Sequence, residues 1–281
     1  MTPAPGRRLI APGMAWLALF TFAPLLLVVA ISLAERGRPV AWTLDGSAWA
    51  RLLDPRWTQV LWRSVATALA TTAVCLVLGV PLAWFVARRT PRVRSVLYFL
   101  VLVPLWANTV ALTYAWMVVL RGDGLIDRTG RALGLLGDEG RFGILYTPTA
   151  VLLGMVYAFL PYMVYAVYQS LERFDVRLLE AAEDLGATRV QAMRRVLLPC
   201  IRPGLVAGSV LVFVPALGAF VVPDMLGGAK KTFVGNAVRD AFQFDPTDWP
   251  RGCAMGVALI AMTGVSAWVF FRSQREVGAR A

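Results

Sequence analysis

The residues with most capacity for chemistry gather in one polar stretch. From Glu180 to Pro203 the chain reads EAAEDLGATRVQAMRRVLLPCIRP, with acids before Gly186 and arginines after it. Such a stretch is either an acid–base site or a surface for another protein to grip. The rest of the chain decides between them. It contains no histidine, hence no imidazole base and no histidine metal ligand. Cys75, Cys200 and Cys253 are far apart and show no CxxC spacing, so they read as structural or incidental thiols. No GxxxxGK[ST] segment is present to cradle phosphates. The expectation is a non-enzyme with no metal or cofactor in this chain.

A second group of polar and aromatic residues stands inside apolar sequence. Trp106, Asn108, Thr109, Thr113, Tyr114 and Trp116 fall in one run, and Tyr157, Tyr162, Tyr165, Tyr168 and Gln169 in another. Asp224 follows Pro223 at the end of a third. Any one ring could be packing or an interface anchor. As a set, aromatic faces near a carboxylate suit an organic cation better than an anion. Trp106, Asn108, Tyr114, Trp116, Tyr157, Tyr162 and Asp224 are the candidate pathway residues.

These groups need elements to hold them. The chain is 58% hydrophobic, with a mean hydropathy of +0.63. Six uncharged runs, at 9–34, 64–87, 95–120, 144–171, 203–223 and 252–271, are each long enough to cross a bilayer core as a helix. The expected fold is all-α and polytopic: a single transmembrane domain over 1–281, with a polar loop at 172–202. The formal charge of +11 would suggest nucleic acid in a soluble protein. Here the arginines cluster at the ends of apolar runs and act as topology signals, so no nucleic acid is expected. Four arginines lie within 88–94, which places that loop in the cytoplasm. Alternation then puts the N-terminus, the 172–202 loop and the C-terminus on the same side. The first run follows Arg7 and Arg8 and is read as a retained signal anchor. No run holds an ionisable Asp, Glu, Lys or Arg, which disfavours an ion-coupled secondary carrier. Energy for any transport should come from a partner.

Local signals sharpen the polar loop. Gly186 sits where a left-handed helix cap would fall. Thr188 and Gln191 have capping-box spacing, and the second helix should stop before Pro199. Trp42, Trp49, Trp57 and Trp62 in the first external loop suggest a helix lying on the membrane surface. Prolines at 24, 81, 104, 161 and 215 permit kinks. Gly204-x3-Gly208 and Gly252-x3-Gly256 permit close helix approach.

Glu180-Ala181-Ala182, Gly186 and Leu198-Pro199 resemble the signature cytoplasmic loop of ABC-importer permeases. NTVALTYAWMVVL from Asn108, GMVYAFLP from Gly154, GSVLVFVPALGAFVVPDMLGG from Gly208 and Asp248-Trp249-Pro250 are similar to the first permease of spermidine/putrescine importers. The resemblance implies a type I ABC-importer permease of six transmembrane helices in a bacterial inner membrane. It also implies a second, homologous permease, two ATPase subunits that bind ATP and magnesium, and a periplasmic substrate-binding protein. Glu180, Ala181, Ala182, Asp184, Gly186, Ala187, Met193, Leu198 and Pro199 would form the ATPase-coupling surface. Met193 departs from the usual phenylalanine but keeps an apolar contact. The implied cargo is a polyamine; permeases for other amines, phosphonates, thiamine or iron share much of the pattern.

Overall fold

Uncharged runs this long can satisfy their backbone in lipid only by bonding to themselves, and the computed structural model shows them as helices. It describes residues 6–37, 41–137, 140–228, 232–245 and 247–278. α1 (Gly6–Ser32) continues through Pro12 and Pro24. A short ribbon follows, in which β1 (Ala34–Glu35) pairs antiparallel with β2 (Ala41–Leu44), Ala34 opposite Leu44. Then come α2 (Ser47–Ala50), a 3-10 turn at Arg51–Leu53 and α3 (Pro55–Ala87). Trp57 and Trp62 thus belong to the start of α3. Trp42 falls in β2, and its side chain lies outside the described residues. Among the described residues of that loop, the helical structure before α3 is α2 and the short turn.

The third apolar run is two helices. α4 (Pro91–Leu102) passes into a 3-10 turn at Val103–Trp106, and α5 (Thr109–Leu120) begins afresh. Pro104 lacks an N–H for the helix ladder. Asn108 then caps α5, its Oδ1 accepting from the amides of Val110 at 2.8 Å and Ala111 at 3.3 Å. α6 (Leu125–Ala132) is amphipathic and leads to α7 (Pro148–Glu172), which Thr147 caps and which continues past Pro161. α8 (Arg177–Asp184) and α9 (Arg189–Ala192) make the polar pair. A π-helical turn at Met193–Leu197 and α10 (Leu198–Cys200) lead into α11 (Arg202–Gly218). The fifth run also breaks, at Ala219 and Phe220, before α12 (Val221–Gly227). α13 (Val234–Gln243) and α14 (Trp249–Gly278) complete the chain.

Among the described residues five helices are long and apolar enough to cross a membrane: Pro12–Ser32, Pro55–Ala87, Thr109–Ala132, Pro148–Glu172 and Trp249–Trp268. The count reaches six if Arg189–Cys200 and Arg202–Gly218, bent by 67°, are taken as one. The apolar part of Thr109–Ala132 is α5, since α6 carries Asp127, Arg128 and Arg131.

The residues group into two compact units. One contains the chain up to Val60 together with Val234–Met262. In it Arg51 pairs with Asp248 at 3.1 Å and Arg36 with Asp245 at 2.6 Å, tying the loop between α1 and α3 to the segment before α14. Hydrogen bonds from Thr247 hold the Asp245 carboxyl below the usual carboxylate range, with Arg36 adding to the effect. Gly252 gives room to Phe242 of α13, whose ring lies 3.1 Å from where a Cβ would stand.

The other unit is Leu61–Phe233 with the residues from Thr263 on. Its core joins α3, α7, α11 and the polar loop, through Cys75, Val86, Met163, Val167, Ile201 and Val212. Met163 is fully buried between two glycines. A Cβ on Gly79 would lie 2.7 Å from Met163 Cγ, and one on Gly208 would lie 2.6 Å from its Sδ. The glycines let α3 and α11 close on α7. Likewise a Cβ on Gly154 would strike Leu226 and Val222, so Gly154 seats α12 on α7.

The segment between α5 and α7 is held by acids. Asp127 is buried, and its carboxylate accepts from the amides of Asp123 at 3.0 Å and Phe142 at 3.1 Å. Asp123, at φ 60°, binds Arg131 at 3.0 Å and Arg141 at 2.7 Å. The hydrogen bond from Arg131 is the main reason its carboxyl is held below the usual range.

Candidate coupling surface and translocation cavity

The polar pair is shaped by its caps. Gly186 has φ +86°, a conformation that L side chains rarely adopt. Around it the Ala187 amide donates to Ala182 O at 3.0 Å and the Gly186 amide to Glu183 O at 2.9 Å. That is the two-bond Schellman ending of a helix. Two residues on, Gln191 N donates to Thr188 Oγ1 at 3.3 Å while Thr188 N donates to Gln191 Oε1 at 2.9 Å. The reciprocal box starts α9. Before Pro199 the helix widens: Leu198 N reaches back five residues to Met193 O. The proline ring would clash with the carbonyl four residues earlier and supplies no N–H, which accounts for the π turn.

One face of this pair is anchored. Leu179, Ala192, Leu197 and Ile201 are buried in the core with Val86 and Leu171. The other face is open. Glu180, Ala181, Asp184, Gly186 and Pro199 are exposed, Ala182 and Ala187 are half-buried, and Met193 and Leu198 are a little over a third exposed. Leu185 is 90% exposed, and Val190 and Leu178 are also bare. Together these three leave apolar area bare on an otherwise polar loop. Sequence reasoning did not single out these three; apolar residues in an otherwise charged loop were the available signal. Beside them lies a cavity of about 410 Å³ lined by Trp84, Arg88, Glu180, Glu183, Arg189 and Met193. Arg88 lies over the Trp84 ring at 5.2 Å.

The aromatic residues divide. Trp116, Tyr157 and Tyr162 line one cavity of about 270 Å³ formed by α5, α7, α11 and α12 and the turn before α5. Trp116 and Tyr157 meet edge to face, with centroids 5.4 Å apart. Phe159, Phe220, Thr109 and Thr113 share this wall. Trp106, Asn108, Tyr114 and Asp224 do not line it. Trp106 is 71% exposed and leans on Phe99, Tyr114 is exposed, and Asn108 serves as the α5 cap. Asp224 sits in the first turn of α12, its amide donating to Phe220 O at 2.9 Å. Phe220 and the two helix breaks were not foreseen as cavity walls; hydropathy is blind to breaks that carry no charge.

A helical chain with a structured polar loop between two apolar helices, and a cavity where helices break, has the build of a transport permease. The chain belongs to the family described as binding-protein-dependent transport system inner membrane component, which matches residues 79–280. It is an inner-membrane permease of an ABC importer and, like its family, a non-catalytic membrane subunit. It is similar to the spermidine/putrescine transport system permease protein PotB of Escherichia coli K12, with 39% identity over 95% of this chain and 97% of that one. PotB of Haemophilus influenzae is 36% identical over 95% and 93%. Among solved structures, a bacterial alginate ABC transporter bound to its periplasmic protein matches 96% of this chain and 94% of its own, with a TM-score of 0.73 at 15% identity. The methionine transporter MetNI matches 78% of this chain and 95% of its own, with a TM-score of 0.56 at 18% identity. Both likenesses support the type I importer fold.

Proposed function

We propose that this permease forms half of the pathway of a polyamine importer, with spermidine or putrescine as cargo. The near-full-length likeness to spermidine/putrescine permeases carries this reading. The aromatic cavity supports it, because ring faces attract ammonium groups and its wall offers no cationic side chain to an anion. A second, homologous permease supplies the other half. A periplasmic binding protein delivers cargo to the outer mouth, and two ATPase subunits bind ATP and magnesium.

The N- and C-termini and the α8–α9 pair face the cytoplasm. Glu180, Ala181, Ala182, Asp184, Gly186, Ala187, Met193, Leu198 and Pro199 meet the ATPase. Glu180 and Asp184 offer charge, Ala181 leaves room for a groove, and the bare Leu185 and Val190 give it apolar area to bury. Closure of the ATPase dimer on ATP drags this pair. Because Leu197 and Ile201 are rooted between α3 and α7, the movement passes to the helices that wall the cavity. Hydrolysis resets it.

The test is uptake of labelled spermidine and putrescine, against an anionic control, by cells carrying the full system or the system without this chain. Polyamine uptake lost only in the second supports the reading. Uptake unchanged without this chain contradicts it.

A further inference from the structure

The cavity beside Trp116 carries no charged side chain among its lining residues, although a cation is its proposed occupant. Its wall is instead where helices stop. α11 ends at Gly218, α12 starts at Val221, and Gly218, Ala219 and Phe220 all line the cavity. A helix end leaves its last carbonyls without donors from the helix itself. Here the sequence keeps one of them so. The Ala219 amide turns back to Ala216 O at 3.3 Å, and the Asp224 amide takes Phe220 O at 2.9 Å. The carbonyl between those registers belongs to Ala219. Its helical donor would be the amide of residue 223, but Pro223 has none. Pro223 is itself buried.

An ammonium group is all donor and is satisfied by oxygen acceptors and by ring faces. Broken membrane helices hold small cations with free carbonyls in this way. We infer that this chain recognises an ammonium group of its cargo without a carboxylate, through main-chain oxygen at the Gly218–Ala219 break and the rings of Trp116 and Tyr157, and that Pro223 keeps the break open. This rests on the polyamine reading above. Uncharged acceptors grip a cation less tightly than a buried carboxylate would, which suits a site that must also release it.

The experiment uses the complete complex of both permeases and the ATPase in nanodiscs. It is loaded through the binding protein with labelled spermidine and trapped with vanadate. Spermidine retained per trapped nucleotide is the readout. Tyr157→Leu, which removes a ring, and Pro223→Ala, which supplies the missing N–H, should each cut retention about fivefold. Tyr157→Phe keeps a ring and should restore it. Wild-type retention in both Tyr157→Leu and Pro223→Ala overturns the inference. So does loss of retention in Asp224→Asn alone, which would move recognition to a carboxylate. An empty wild-type trap overturns it too, if spermidine still stimulates ATP hydrolysis. If no polyamine stimulates hydrolysis by the wild type, the polyamine reading itself fails and takes the inference with it.

Discussion

The amide of Ala187 reaches back over Gly186 to the carbonyl of Ala182, 3.0 Å away, and this bond sets the angle between α8 and α9. It exists because Gly186 holds φ at +86°. A residue with a Cβ in the left-handed region costs roughly 1–2 kcal/mol. Gly186→Asp adds a charge to that strain on the exposed face. We expect it to abolish uptake while membrane levels stay normal. Gly186→Asn, which tolerates this conformation, should keep most of the uptake. Normal coupled ATP hydrolysis in the Asp variant would count against the coupling role.

Thr188 is expected to matter through its cap. Thr188→Ala removes the acceptor for the Gln191 amide and should cost about 1 kcal/mol of local helix stability. Uptake should fall a few-fold, amide exchange at 189–192 should quicken, and Thr188→Ser should reverse both. An unchanged exchange pattern would show that the cap is idle.

Met163 makes a packing prediction. Gly208→Leu drives a side chain into the Met163 sulfur, where even a Cβ would come within 2.6 Å. Overpacking of this kind costs roughly 1–3 kcal/mol. The unfolding midpoint of the purified chain should drop by several degrees. Gly256→Ala meets nothing within 4 Å and should leave it unchanged or slightly raised.

The Asp123 cluster between α5 and α7 gives a pH prediction. Arg131, by its hydrogen bond, holds the Asp123 carboxyl below its ordinary value. A depressed carboxylate stabilises the fold fully above its unfolded pKa of about 3.9 and loses that contribution as pH falls through the folded value. Protection of amides in 123–137, corrected for intrinsic exchange, should hold from neutral pH to about pH 5. It should fade only below the usual carboxylate range of about 4. In Asp123→Asn protection should already be weak at neutral pH. Loss between pH 7 and 5 in the natural chain would refute this.

Parts of the architecture were legible because single residue types force them. Gly186, and Thr188 with Gln191, announce the elbow and its box by chemistry that acts within a few residues. Gly204 and Gly208 announce the close approach of α11 to α7. The breaks at Val103–Trp106 and at Ala219 were hidden within uncharged runs, since hydropathy registers transfer into lipid and not the backbone ladder. The prolines were visible, but a proline alone does not say whether a helix bends or breaks. Of the five prolines expected to permit kinks, Pro24, Pro81, Pro161 and Pro215 sit within continuous helices and Pro104 lies where the helix gives way. Which rings share a cavity depends on helix rotation set by packing. Hence Trp116, Tyr157 and Tyr162 came together while Trp106 and Tyr114 turned outward.

Coupling and cargo are tested most directly together by ATP hydrolysis of the assembled complex in lipid, with its binding protein, titrated with spermidine, putrescine and an anionic control. Stimulation by a polyamine, lost in Gly186→Asp, is the predicted result. Stimulation by the anion alone, or equal stimulation with and without an intact elbow, would contradict it.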